Sequence, residues 1–258
     1  MLDILPLPAL GNHYNYIWLL KNKASNHVAI VDPGEAGPLL KLIESEKLIP
    51  TTILITHHHW DHVDGIVEIT EKYDIPVYTP KTESVRGSTN PVAEGDSISL
   101  PELNLTLNIL DVPGHTSGAI AYYTNGMVFS GDTLFTAGCG RMFEGTPPQM
   151  HASLSKFKTL PDETRLYCGH EYTVANLQFA SIVEPDNEAI WDRLVQAGRS
   201  REKGESTVPS TLAIEKQTNP FLRCENQGVI EAVSAHSGKK LDDPHEVFAE
   251  LRSWKDNF

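Results

Sequence analysis

The stretch TTILITHHHWDH, residues 51–62, constrains this chain more than any other. Its first half is a β-branched apolar run of the kind that forms a buried strand. Its second half places His57, His58, His59, Asp61 and His62 directly after that run. Imidazoles and a carboxylate taken out of water cost stability unless something partners them, and a bound cation does so. His57, His59 and Asp61 are spaced by two, and His62 follows at once. If the strand leaves into a loop and then a helix near His62, these groups converge on one point instead of alternating across a sheet. Neutral imidazole and carboxylate suit zinc, iron or manganese.

Three further candidates sit in the same kind of place. PGHTSG puts His115 after the strand LNILDV and a Pro-Gly turn, FSGDTLF puts Asp132 at the end of strand MVFSG, and YCGHEYT puts His170 just after RLYC. Turns at the exits of apolar strands are where sites collect on sheet scaffolds. His57, His59, Asp61, His62, His115, Asp132 and His170 together exceed what one open cation site takes, and fit two metals sharing a bridging carboxylate.

Short strands punctuate the first two-thirds of the chain: IWLL, HVAIVD, TTILIT, PVYT, LNLTLNILDV, AIAYYT, MVFSGD and RLYC. AIAYYTNGMVFSG reads as a hairpin around Asn125-Gly126. Helical spacing appears in PLLKLIESEKL (38–48), GIVEITEKYD (65–74) and ASLSKFKTL (152–160). The pattern predicts an α/β (α+β) chain, a mixed sheet system with helices outside. After about Tyr172 strand signals fade, and VANLQFASIVEP, NEAIWDRLVQAGRSREKG and PHEVFAELRSWKDNF read as helices, the last opened by Pro244. The division expected is 1–172 for a metal-binding catalytic domain and 173–258 for a helical one, with the boundary between 165 and 173.

A formal net charge of −13 disfavours nucleic-acid binding, because an acidic surface repels phosphate backbones. An anionic small-molecule substrate would need a local cluster of Arg and Lys. The three cysteines, Cys139, Cys168 and Cys224, have no paired spacing, which fits a reducing compartment and a cytoplasmic protein. The N-terminal apolar stretch is broken by Pro6, Pro8, Gly11 and Asn12 and does not read as a signal peptide. No uninterrupted apolar run reaches the ~18 residues of a membrane span.

THHHWDH, PGHT, SGDTLF and CGHE together resemble the metallo-β-lactamase superfamily and its HxHxDH signature. Within it the chain most resembles the glyoxalase II (hydroxyacylglutathione hydrolase) family, through GNHYNYIWLL, VDPG, GCGRMFEGTPPQM, CGHEYTVANLQFA, NPFLRC and the final RSWK. The resemblance covers nearly the whole chain. It implies an αββα sandwich with the site at one edge of its sheets, followed by a helical domain that binds substrate. It implies that His57, His59 and His115 hold a first metal, that Asp61, His62 and His170 hold a second, and that Asp132 bridges them. Two divalent cations are expected, zinc first, with iron and manganese also compatible.

The implied reaction is hydrolysis of S-D-lactoylglutathione to glutathione and D-lactate, the second step of methylglyoxal detoxification. Two cations lower the pKa of a shared water, and Asp61 holds the resulting nucleophile in line. A thiol leaves without a dedicated general acid, since its pKa lies near ~8.5. On the substrate side the resemblance points to Arg141, Phe143, Tyr172, Arg252 and Lys255. Arg252 and Lys255, three apart on a helix, share one face and are placed to clamp a carboxylate; without the family context they equally read as a solvated helix face. Phe143 stands where relatives can carry Tyr, so one hydroxyl contact is expected to be missing, and Asp64 stands where many have Gly. A monomer acting on a small glutathione thioester is expected, with neither nucleic acid nor membrane as partner. The competing readings are a one-iron persulfide dioxygenase, a lactonase, a β-lactamase or a nuclease on the same scaffold, and a non-enzymatic metal-binding member.

Other residues read more plainly. His58 points away by parity and is expected to pack or to support a ligand, and Trp60 to form wall or core. Cys139 and Cys168 read as packing residues, and Asp32 and Asp111 as strand-end caps or partners of ligands. His13, His27, His151, His236 and His245 read as ordinary polar histidines, and Glu144 and Glu171 receive no role.

Overall fold

The structure is a computed structural model that describes residues 2–11 and 14–258; His13 lies outside the described residues. Two six-stranded sheets form the centre. The first runs in the order β1 (Leu2–Ala9), β2 (Asn15–Asn22), β3 (His27–Val31), β4 (Ile49–Leu54), β5 (Val77–Pro80) and β6 (Asn90–Val92). In the second, β7 (Ser97–Leu100), β8 (Leu105–Asp111), β9 (Ile120–Thr124), β10 (Met127–Gly131), β13 (Arg165–Cys168) and β14 (Ser210–Thr211) neighbour one another in that order. A small hairpin pairs β11 (Leu134–Phe135) with β12 (Gly138–Cys139).

Alternation along the strands creates the layers. In β2, Trp18 and Leu20 point toward the second sheet and pack with Leu107, Ile109, Tyr122, Phe129 and Tyr167. Ile17 and Leu19, one residue out of phase, face helices α1 (Gly37–Glu46) and α3 (Ile66–Lys72). The second sheet repeats this. Ala121, Val128 and Leu166 turn outward onto α4 (Pro147–Lys158), α5 (Thr173–Val183), α8 (Gln227–Ser237) and α9 (Pro244–Asp256). The result is helix, sheet, sheet, helix, the αββα sandwich that the family resemblance implies.

Every strand expected from the sequence is present. The longest of the strands not expected is β1, whose Pro6 and Pro8 argue against a sheet interior; it lies at the sheet edge, paired with β2, where a missing N–H is tolerated, and the short β6, β7, β11 and β12 were not expected either. Helix α4 begins at Pro147, ahead of the predicted 152, because Thr146 and Gln149 form a capping box and Pro147 occupies the first turn. In the C-terminal region, α6 (Glu188–Glu202) and α9 match expectation, with the Asp243 side chain capping α9. Helices α7 (Leu212–Thr218) and α8 were not anticipated, nor was β14, which returns from the helical region to the sheet edge beside β13.

Candidate metal centre and substrate pocket

Strands β4, β8, β10 and β13 all end at one rim of the sandwich, and the seven residues singled out in the sequence meet there. His57–His59 leave β4, and Asp61 and His62 lie on the short helix α2 (Trp60–Val63). His115 sits in the turn between β8 and β9, Asp132 follows β10, and His170 follows β13. The ligand atoms of His57, His59 and His115 lie within 4.8 Å of one another, and so do those of Asp61, His62 and His170. Asp132 stands between the two sets. Its Oδ2 is 3.6 Å from His115 Nε2 and 3.0 Å from His170 Nε2, while its Oδ1 is 3.5 Å from His62 Nε2. Asp61 Oδ2 is 3.6 Å from His62 Nε2 and 3.5 Å from His170 Nε2.

These spacings suit cations. Two ligands about 2.1 Å from a tetrahedral ion stand about 3.4 Å apart. The hydrogen bonds behind the rings point the same way. Nδ1–H of His57 donates to Thr56 Oγ1 (3.0 Å), that of His62 to Asp32 (3.1 Å) and that of His115 to the Arg141 carbonyl (2.7 Å), so each Nε2 lone pair faces inward. His57 Nε2, His62 Nε2 and Asp132 Oδ1 are buried without a hydrogen-bond partner among the described residues. Burial holds His57, His59 and His115 below the usual imidazole range, aided by neighbouring rings, which keeps them neutral donors of electron pairs. At His62 burial opposes charge, but Asp132 and Asp32 overcome it and raise its pKa well above the ordinary value. Asp132 in turn, despite the burial that opposes it, is held well below the carboxylate range by His170 and His62. The field at this point favours positive charge.

Tight backbone approaches assemble the cluster. A Cβ on Gly169 would overlap Asp132 Oδ1 and lie 2.8 Å from His62 Cε1, so only glycine lets the His170 turn pass this close. A Cβ on Gly34, in the VDPG turn, would collide with the Asp61 carbonyl. Asp32, in that same turn, accepts from Thr56 N–H (2.8 Å) and hydroxyl (2.7 Å) as well as from His62, so it supports a ligand rather than capping its strand. Asp111 accepts from the Glu94 N–H at the strand end. Asp64 is exposed beyond α2.

A cavity of about 720 Å³ opens over the cluster. His59, Asp61, His115, Asp132 and His170 form its floor together with Phe135, and Arg141, Phe143, Tyr172, Arg252 and Lys255 are all in its walls. Trp60 also lines it, as the wall reading requires. Tyr172 stacks on His170 at 4.7 Å, and its burial pushes the phenol pKa up, so it presents a hydroxyl donor. The Phe143 ring stands edge-on to His59 and His115, at 5.6 and 5.3 Å. Lys255 Nζ lies over the rings of Phe179 and Phe258. Arg252 differs from Lys255. It is buried, its guanidinium donates to the Cys139 carbonyl (2.9 Å) and pairs with Asp256 (3.0 Å), and its Nε is left without a partner among the described residues. Asp256 also accepts from Arg141 Nε at 3.2 Å.

The histidine next to the ligands has its own place. His58 lies between Glu83 Oε2 (3.0 Å) and Glu144 Oε1 (3.1 Å), turned from the metal cluster as parity predicts. Glu144 thus has a contact that its sequence position did not reveal, and so does Glu171, which accepts from the Tyr16 hydroxyl and from Thr207. Cys139 and Cys168 are buried thiols, their pKa values pushed by burial up to about 11 and about 12, as packing residues should be. Asn15 was overlooked: its amide bonds Asp61, and only its place in the GNHYNY motif hinted at it.

Similarity to known proteins agrees with this geometry. Residues 10–170 match the metallo-beta-lactamase superfamily, and residues 171–258 match the hydroxyacylglutathione hydrolase C-terminus. The hydroxyacylglutathione hydrolase of Alkalilimnicola ehrlichii is 51% identical over 99% of both chains, and that of Nitrosomonas eutropha is 47% identical over 100% of both. The chain belongs to the hydroxyacylglutathione hydrolase family. Among solved structures, TTHA1623 in a di-iron-bound form is similar with a TM-score of 0.59 and 27% identity, covering 84% of this chain and 100% of its own. This family membership and the two converging His/Asp clusters make the centre a dinuclear metal site. No helix among the described residues is long and apolar enough to cross a membrane.

Proposed function

We propose that this chain hydrolyses S-(2-hydroxyacyl)glutathione thioesters, S-D-lactoylglutathione foremost, to glutathione and the free hydroxy acid. That reaction is the second step of methylglyoxal detoxification. The observation that carries the reading is Asp132 Oδ2, one oxygen directed at both His115 and His170 on the floor of a cavity walled by Arg141, Tyr172 and Lys255. His57, His59 and His115 would hold one cation, Asp61, His62 and His170 the other, with Asp132 shared between them. Zinc is the first choice for these N/O ligands, with iron and manganese also compatible.

Bound cations supply an activated water and take up the charge that develops on the thioester carbonyl oxygen. The chain's own residues do the rest. Asp61 accepts a hydrogen bond from the attacking water and orients it. Attack forms the C–O bond, the C–S bond breaks, and the thiolate leaves and takes a proton. Tyr172 offers its hydroxyl to the glutathione backbone, and Lys255 and Arg141 face its carboxylates. Phe143 contributes a wall without a hydroxyl. Arg252 contributes its positive charge and fixes the wall at Cys139. A single-iron dioxygenase would need only two His and one Asp, whereas here Asp61, His62 and His170 form a complete second set. On this reading residues 1–172 are the catalytic domain and 173–258 the substrate-binding one, in a monomeric cytoplasmic enzyme.

The test is metal analysis and S-D-lactoylglutathione turnover on one purified sample, for the wild type and Asp132→Ala. Near two metals per chain and rapid hydrolysis are expected in the wild type, with turnover nearly abolished in the variant. Full activity with both metals in Asp132→Ala would sink the shared-carboxylate assignment. Two metals without thioester turnover in the wild type would send the assignment to lactones, β-lactams or other thioesters.

A further inference from the structure

We propose that Asn15 is a positioning residue for the second cation's ligands, holding Asp61 through its side chain and His170 through its backbone. The inference rests on the ligand assignment above. Asn15 opens β2 in the first sheet and is buried, at 3% exposure. Its Nδ2 donates to the Asp61 carbonyl oxygen (3.1 Å) and to Asp61 Oδ2 (3.0 Å). That same Oδ2 faces His62 and His170. The amide therefore selects which carboxylate oxygen points into the cluster and in what rotamer.

The backbone of Asn15 does a second thing. It forms an isolated antiparallel bridge with His170. On either side of it Tyr16 N–H donates to the Gly169 carbonyl (2.8 Å) and Glu171 N–H donates to the Tyr14 carbonyl (2.9 Å). The Tyr16 hydroxyl adds a bond to Glu171 at 2.6 Å. Asp61 and His170 come from different sheets and distant parts of the sequence, and the start of β2 is bonded to both. The Asp61 backbone is confined from another direction by Gly34, where no Cβ fits. His57, His59 and His115 receive no hydrogen bond from Asn15. Their rings are oriented, where a bond is present behind them, by Thr56 and Arg141.

This asymmetry makes a specific expectation. Loss of the amide weakens the second cation and leaves the first in place. Groups that orient a metal ligand typically change metal affinity by about 10- to 100-fold. The experiment uses the full chain loaded with cobalt(II), challenged with increasing chelator while metal content and the visible d–d bands are followed. Wild type is compared with Asn15→Leu, close in size but without a donor, and with Asn15→Asp, which sets an oxygen against Asp61 Oδ2. In both variants one cobalt should be lost at a chelator concentration at least about tenfold lower, with a change in its bands, while the other keeps its wild-type affinity. Asn15→Asp should be the weaker of the two. If Asn15→Leu does not fold, Asn15→Ala, which removes the amide without adding apolar bulk beside a carboxylate, carries the same expectation. Unchanged retention of both ions overturns the inference, and so does equal weakening of both, which is what general loosening of the fold would give. A wild type that holds only one cobalt refutes the ligand assignment itself, and the inference with it.

Discussion

Lys255 offers a prediction whose size follows from its surroundings. Its ammonium is partly buried beside Phe179 and Phe258, and this burial, with the adjacent Arg252, lowers its pKa from the ordinary lysine value to about 8; Cys139 and Asp256 pull weakly the other way. A lysine with that pKa is about nine-tenths charged at pH 7 and about one-tenth charged at pH 9. The sign follows: raising the pH removes the charge that would attract a substrate carboxylate. If only the ammonium binds, kcat/KM falls about tenfold between pH 7 and pH 9, because that ratio reports the free enzyme. At saturating substrate the loss should be smaller, since a bound carboxylate raises the lysine pKa again. Steady-state kinetics of Lys255→Arg and Lys255→Met, each divided by wild type at the same pH, cancel pH effects on the chemical step. Against wild type, the arginine variant should gain steadily across the interval, because a guanidinium stays charged. The methionine variant should start low at pH 7 and approach wild type at pH 9. Parallel profiles for all three proteins would refute the reasoning and remove the Lys255 charge from substrate capture.

Two further substitutions test packing around the site. Gly169→Ala places a methyl group on Asp132 Oδ1 and against His62, so it should reduce metal content and turnover together; a fully loaded, fully active variant would show that the His170 turn shifts freely. Glu215→Ala removes the fully buried carboxylate that the half-buried Arg193 meets at 2.6 Å, leaving that guanidinium only the Thr218 and Ser210 hydroxyls, and should cost about 3 kcal/mol in urea unfolding, the low end for breaking a buried pair; a change below about 1 kcal/mol would mean water reaches Arg193.

The convergence of the candidate metal ligands was legible because their signal is local. Each sits one to a few residues beyond an apolar strand, and strand exits at one rim bring such groups together. His58 was legible for the same reason, since parity alone turns it away from its neighbours. What the sequence hid was non-local. The Asn15–Asp61 bond spans residues far apart in the chain, and nothing near Asn15 announces a carboxylate. Glu83, buried against His58, lies in a segment with no periodic pattern at all. Strand β1 was hidden by its own prolines, which are unfavourable in a sheet interior and acceptable at the edge it occupies. Helices α7 and α8 were missed because they are short or only modestly patterned and are stabilised by packing rather than by propensity.

The substrate side shows why spacing alone could not distinguish Arg252 from Lys255. Both lie on the same face of α9 and both reach the cavity, as their separation of three residues predicts. Their depths differ. Arg252 lies over the Phe221 ring and bonds the carbonyl of Cys139, at the end of the β11–β12 hairpin. That hairpin is held from the same side by Asn219, which donates to the carbonyls of Phe135 and Gly138, and by Glu215, which accepts from Ala137 N–H. It follows Asp132 directly in sequence, and Gly140 at its end bonds back to the Thr133 carbonyl. A change at Arg252 therefore alters the wall next to Asp132 as well as the charge in the cavity. Its effect on KM cannot be separated from its effect on kcat. Lys255, whose polar contact is a single long bond to the Ala175 carbonyl, alters the charge with little else attached. On the proposed reading the helical region would serve the reaction in two ways, presenting a cation to the substrate and bracing the hairpin beside the metal centre, and at Lys255 the first can be varied while the second stays fixed.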